Sequence, residues 1–271
     1  MKKRNVRRSA GGHKCQMNYG EVMRFCGIDL AADPKNTGLA VLRDENGRLI
    51  VDFVAIGNTD DDIIDAVRSA ELTGVDIPFG WPQPFVALLQ AHAEHKLPSP
   101  MSTGPQWRRE LALRTTDREI HRLTGLMPLS VSANLIAYPA FRWAGIEARL
   151  RESRINVNRD GSGAVAEVYP AAALHCWGMP YRGYKSAQGS VVRQQIVEEI
   201  ARCFPRLEWN GYQTLVEAHD DALDAVIASL VSQQILRGHC HGPPERFREI
   251  AKSEGWIWIP KRIEGSTIDN Y

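Results

Sequence analysis

Five acidic residues sit inside apolar segments of this 271-residue chain. An ionised carboxylate is expensive to bury there unless it is paired or bound to a metal. Asp29 ends the apolar run RFCGID, Asp76 lies within GVDIP, Glu167 within VAEVYP, and Asp221 and Asp224 within the apolar stretch from about 219 to 236. Such a set calls for a cation. Hard oxygen ligands select Mg²⁺ or Mn²⁺, and no matching set of His and Cys favours zinc. Asp224 stands between Leu223 and Ala225-Val226-Ile227, and residues 221, 224, 225 and 228 share one helical face. Small Ala225 and Ala228 would let that helix approach a sheet edge and present both acids there. Each acid also has a plainer reading. Asp29 with Asp33 could cap turns, Asp220 and Asp221 are ordinary first-turn acids, and Glu167 could be an exposed strand residue.

Other chemistry is thinner. There is no GxSxG elbow, no HExxH and no GxGxxG after a strand, and adjacent residues in His239-Cys240-His241 cannot easily converge on one ion. Lys185 in GYK and the set Arg114, Asp117 and Arg118 could reach a phosphate backbone, Arg being suited to bidentate contact. The competing view is a solvated helix face with surface ion pairs. His219 could orient a water, although a histidine at a helix start is more often surface. Trp81, Trp107, Trp143 and Tyr138 could stack bases, but aromatics in a helical cap are usually core, and they are assigned no role.

The elements that must position the acids follow from apolar periodicity. Strands are expected at 24–30, 38–43 and 48–56, with an Asn46-Gly47 hairpin turn before the third. Thr59 and Asp60 can cap a helix through about 71, and a short strand at 73–77 ends at Pro78. The next strand, 164–169, comes about 85 residues later. A compact crossover needs only a dozen or more. Helical patterns at 82–95, 114–124 and 132–152 make a mainly α insertion at about 80–163, expected to pack beside the sheet as a cap. Helices follow near 171–177, 190–203 and 219–236, and the 254–260 segment alternates like a strand docked on the body. The sum is an α/β layer fold.

Taken in order, the segments GIDLA, TGLA, VDIPFG, EVYP, DDALDA and EGWI resemble the domain-of-unknown-function family 429, described as predicted nucleases. The wider pattern resembles the ribonuclease H-like fold and its RuvC-like resolvase branch. The resemblance spans about 24–260. It implies a mixed five-stranded sheet, three antiparallel strands and then parallel ones, with flanking helices. It also implies a hydrolase in which Asp29, Asp76, Asp221 and Asp224 hold two Mg²⁺ or Mn²⁺ ions. One ion would activate water and the other neutralise the leaving 3′-oxygen of a nucleic acid, giving a 5′-phosphate product. Glu167 belongs to the family motif but not to the minimal resolvase set. The insertion is far longer than the resolvase counterpart.

Composition limits the alternatives. Hydrophobic residues make up 44% and charged residues 24%, ordinary globular values. No apolar run reaches the roughly 20 residues of a membrane span. Five scattered cysteines without a CxxC pair fit a reducing, cytoplasmic setting. Residues 1–22 read as a basic disordered arm or an upstream start ahead of Met17 or Met23, and 261–271 as a tail. The net charge of +1 divides into +5 before Met23 and −4 after it, so the folded part lacks the basic field of a sequence-blind nucleic-acid binder. A non-catalytic interaction protein on the same fold therefore stays open. An actin- or sugar-kinase-like nucleotide enzyme ranks lower, because no GxxxxGK[ST] loop or second acidic hairpin is present.

Overall fold

The computed structural model describes residues 22–262, so the basic opening stretch and most of the C-terminal tail lie outside the described residues. Three antiparallel strands come first, β1 (Val22–Asp29), β2 (Gly38–Glu45) and β3 (Arg48–Ile56), the last two joined at Asn46-Gly47. Helix α1 (Asp60–Ser69) opens with a capping box between Thr59 and Asp62 and returns the chain to β4 (Leu72–Asp76), parallel to β1. Four helices, α2 (Gln83–Ala93), α3 (Pro105–Ala112), α4 (Thr115–Thr124) and α5 (Ala137–Glu152), precede β5 (Val165–Val168). The chain then runs through α6 (Pro170–Trp177), α7 (Ser190–Cys203), β6 (Leu207–Glu208), α8 (Gln213–Ala218) and α9 (Asp220–Leu236). It closes with β7 (Cys240–His241), α10 (Arg248–Glu254) and β8 (Ile257–Pro260).

The strands form one mixed sheet in the order β6-β3-β2-β1-β4-β5-β8-β7. Eight strands replace the five expected. β6 and β7 are two residues long, too short for any alternation to register, and β8 does not merely dock but extends the sheet by pairing parallel to β5. One face of the sheet packs Phe25, Leu42 and Leu72 against α9, α6 and α7. The other packs Cys26, Ile28 and Val75 against Ile63 and Val67 of α1 and Trp143, Ile146 and Leu150 of α5. The last helix of the insertion is thus part of a helical layer on the sheet. No helix among the described residues is long and apolar enough to cross a membrane.

Helix α9 is buried almost all round, from Ala222 to Gln233, which is why its sequence shows no polar face. It lies directly on the sheet because the strands beneath it carry glycine. A Cβ at Gly27 would stand 2.0 Å from the carbonyl oxygen of Ala225, and one at Gly74 would stand 2.6 Å from that of Ala228. Gly27→Ala is therefore expected to push α9 off β1 and destabilise the protein by about 2–3 kcal/mol. Gly145→Ala provides the opposite case. Gly145 lies within α5 with nothing within 4 Å of the added methyl, so the change should stabilise by about 0.5–1 kcal/mol. Urea midpoints for the two variants check both signs.

Candidate metal centre

Alternation along the strands decides which acids can meet. Phe25 and Gly27 on β1, and Leu72 and Gly74 on β4, turn toward α9, so Asp29 and Asp76 turn the same way. These two are direct partners in the parallel register of β1 and β4. Asp224, fully buried in the second turn of α9, completes the group: ligand oxygens of Asp29, Asp76 and Asp224 lie within 4.8 Å of one another. Asp29 and Asp76 are half-buried. Asp221 falls outside the converging group. It is half-buried in the first turn of α9, within electrostatic reach of Asp29.

Two residues from the loop between α6 and α7 grip Asp224. The Tyr184 hydroxyl donates to Oδ1 at 2.9 Å, and the Lys185 ammonium pairs with Oδ2 at 2.6 Å. Buried Arg193 of α7 holds this loop in place, donating to the Tyr184 carbonyl at 2.5 Å and to the carbonyls of Glu217 (2.8 Å) and Ala218 (2.9 Å) just before α9. Lys185, expected to reach a phosphate backbone, is half-exposed and paired with Asp224. Nothing local in the sequence marks Tyr184, a loop tyrosine, as the partner of an acid 40 residues away.

A family described as "Protein of unknown function (DUF429)" matches residues 27–249. The chain belongs to the DUF429 family. No curated protein and no solved structure matches it. The matched stretch of this DUF429 member contains all three converging acids, together with Tyr184 and Lys185.

Glu167 stands elsewhere. It pairs in register with Val75, whose side chain faces α1, so Glu167 points through the sheet to the side opposite Asp76. There it accepts two hydrogen bonds from Arg114, at 2.7 and 2.8 Å, and one from the Phe79 backbone at 3.0 Å. Arg114 also pairs with buried Asp117 at 2.8 Å and is itself only 1% exposed. The surface role expected for Arg114 is therefore replaced by a buried one, since both faces of its guanidinium fork are taken by carboxylates. Arg118 is exposed and donates to the Leu113 carbonyl at 3.1 Å. Glu254, passed over in the motif EGWI, is buried and caps two helices of the insertion at once. Its carboxylate accepts from the backbone of Gln83 (2.9 Å) at the start of α2 and of Thr115 (2.7 Å) at the start of α4.

Electrostatics distinguish the two carboxylate groups. Burial pushes Asp29 well above the ordinary 3.8, with the charges of Asp224, Asp76 and Asp221 adding to the rise and Lys185 opposing it. Burial likewise pushes Asp76 up to about 7. A folded-state pKa above the unfolded value means that the folded protein holds the proton more tightly. Stability of the metal-free DUF429 chain should then fall as pH rises from about 4 to about 7. A divalent ion competes with those protons, so the rise in Tm that it brings should grow over the same window. Melting curves across that pH range, with and without Mn²⁺, test both slopes, and Asp76→Asn should flatten each.

Proposed function

We propose that this DUF429 chain is a metal-dependent phosphodiesterase acting on nucleic acid, built on a ribonuclease H-like core. The observation that carries the reading is the meeting of Asp29, Asp76 and Asp224 within 4.8 Å at the ends of β1 and β4 beneath α9. The order of the central elements supports it: three antiparallel strands, a helix, a parallel strand beside the first, and a late helix across the sheet. The donor set fits Mg²⁺ or Mn²⁺, because it offers hard carboxylate oxygens whose burial raises their proton affinity and leaves their charges in want of a cation.

Asp29, Asp76 and Asp224 would hold the metal. When bound, it would supply Lewis acidity, lowering the pKa of an attacking water and offsetting charge on the phosphoryl group. The protein's own groups do the positioning. Tyr184 at Oδ1 and Lys185 at Oδ2 fix the orientation of the Asp224 carboxylate. Lys185, half-exposed, keeps a positive charge at the rim, where an incoming phosphate arrives. Against burial, which would lower it, the Asp224 carboxylate raises the Lys185 pKa and keeps the ammonium charged.

Labelled single- and double-stranded DNA and RNA, incubated in Mg²⁺ or Mn²⁺ with wild type and with Asp224→Asn, test the proposal. Wild type should cleave at least one substrate and the variant should not. Equal products from both proteins would refute the assigned site. A metal-dependent rise in Tm with no cleavage of any substrate would favour a non-catalytic binding protein instead.

A further inference from the structure

Large apolar side chains are exposed unevenly on this protein: nine lie between residues 86 and 141, in the helical insertion, against four elsewhere among the described residues. The aromatic ones form a connected run. Trp81 stacks on Phe141 with ring centroids 5.8 Å apart and planes 19° apart, and Tyr138 meets the edge of Phe141 at 6.4 Å. Phe141 is 58% exposed and Tyr138 64%. Trp143, two residues further on, is by contrast buried against Phe79 with centroids 4.8 Å apart. Rings left in water beside rings packed in the core indicate a surface kept for a partner.

The run is tied to the segments that flank Asp29 and its strand partner. Trp81 follows Asp76 by five residues. Arg142, adjacent to Phe141, donates to the carbonyl of Ala31 at 2.8 Å, two residues after Asp29. It also donates at 2.6 Å to the hydroxyl of Thr37, the neighbour of Gly38, which is the register partner of Asp29. Residues 80–163 carry a formal net +4, of which Arg114, Arg142 and Arg149 are paired with Glu167 of β5 and with Asp60 and Asp61 of α1. Arg108 and Arg109 are exposed on α3 of the insertion. Exposed arginines and exposed rings on the same insertion suit a polyanion with flat apolar groups along it.

We propose that the insertion is a binding surface for single-stranded nucleic acid, with unpaired bases stacking on Phe141 and Tyr138 while the adjoining phosphate lies toward Asp29, Asp76 and Asp224. The inference rests on the phosphodiesterase reading and names its substrate class. A duplex hides the faces of its bases within the stack, so only an unpaired strand can use these rings.

The test is metal-free binding, separate from any cleavage. Fluorescein-labelled oligo(dT) and oligo(U) of twelve nucleotides, and a twelve-base-pair duplex, are titrated with the full chain in EDTA and followed by anisotropy. Single strands should bind at least about tenfold more tightly than the duplex, and Phe141→Ala and Tyr138→Ala should each weaken single-strand binding by roughly tenfold, about the value of one stacked base. Both side chains are exposed, so Tm should not move, and Phe53→Ala on β3, also an exposed ring, should leave binding unchanged. Duplex binding as tight as single-strand binding, or unaltered affinity in the two insertion variants, overturns the proposal. Failure of every oligonucleotide to bind also overturns it and assigns the patch to a protein partner. The metal-induced Tm shift, measured without nucleic acid, reports on the acid centre independently.

Discussion

Asp29→Asn should abolish the metal response and cut any phosphodiester cleavage by at least about 10³-fold, while making the metal-free protein more stable. Lewis acidity at a phosphoryl centre is worth several kcal/mol, and each 1.36 kcal/mol is tenfold in rate, which sets the size of the loss. The stability gain has a different origin. Asp29 sits among Asp224, Asp76 and Asp221, and burial with those neighbouring charges raises its pKa well above 3.8, so its ionised form is a cost to the metal-free fold. An amide of the same shape removes that repulsion. In wild type, a metal at a hundred times its Kd should add about 2.7 kcal/mol, or about 5–10 °C in Tm. In Asp29→Asn the metal-free Tm should lie higher and the increment should vanish. Melting curves with and without Mn²⁺, beside the cleavage assay, check the three effects together. A variant that is less stable without metal would contradict the charge-repulsion account.

Arg114→Met should cost about 3–5 kcal/mol, the largest loss expected from a single side chain outside the acid centre. The arginine is 1% exposed and is the shared partner of two buried carboxylates, Glu167 at 2.7 Å and Asp117 at 2.8 Å. It also donates to the Glu254 carbonyl at 3.1 Å, so one residue joins β5, α4 and α10. Methionine fills the volume but strands both negative charges. Burial already pushes Glu167 upward against the pull of Arg114, and removing the arginine drives its pKa higher. The variant should therefore recover part of its stability as pH is lowered from about 7 to 5, where the stranded carboxylates take up protons. Urea midpoints at the two pH values test this. A loss with no pH dependence would mean that packing, not uncompensated charge, governs the site. Because the network lies on the opposite face of the sheet from Asp29, the metal-induced Tm shift should persist in whatever fraction folds.

Much of this protein was legible without coordinates. The first three strands, the 60s helix, the fourth strand and the helices at 190–203 and 219–236 follow from local periodicity and turn chemistry, and the observed elements lie within a few residues of them. Asp29, Asp76 and Asp224 stood out for the same reason, being charges inside apolar runs. Local pattern cannot supply register. Glu167 looked equivalent to Asp76 because β5 is buried on both faces and shows no alternation; pairing with Val75 places it one residue out of step, on the other side of the sheet. Arg114 reads locally as a surface cation beside Asp117, because Glu167 becomes its second partner only when the insertion folds back on β5. Lys185 and Tyr184 join Asp224 across about 40 residues, and Trp81, Phe141 and Tyr138 come together across 60. The amino-acid order determined the elements and named three of the acids, since both depend on forces acting within a few residues. Which side chains meet, and which rings stay in water, was decided by strand register and helix packing, whose energies arise only when distant segments touch.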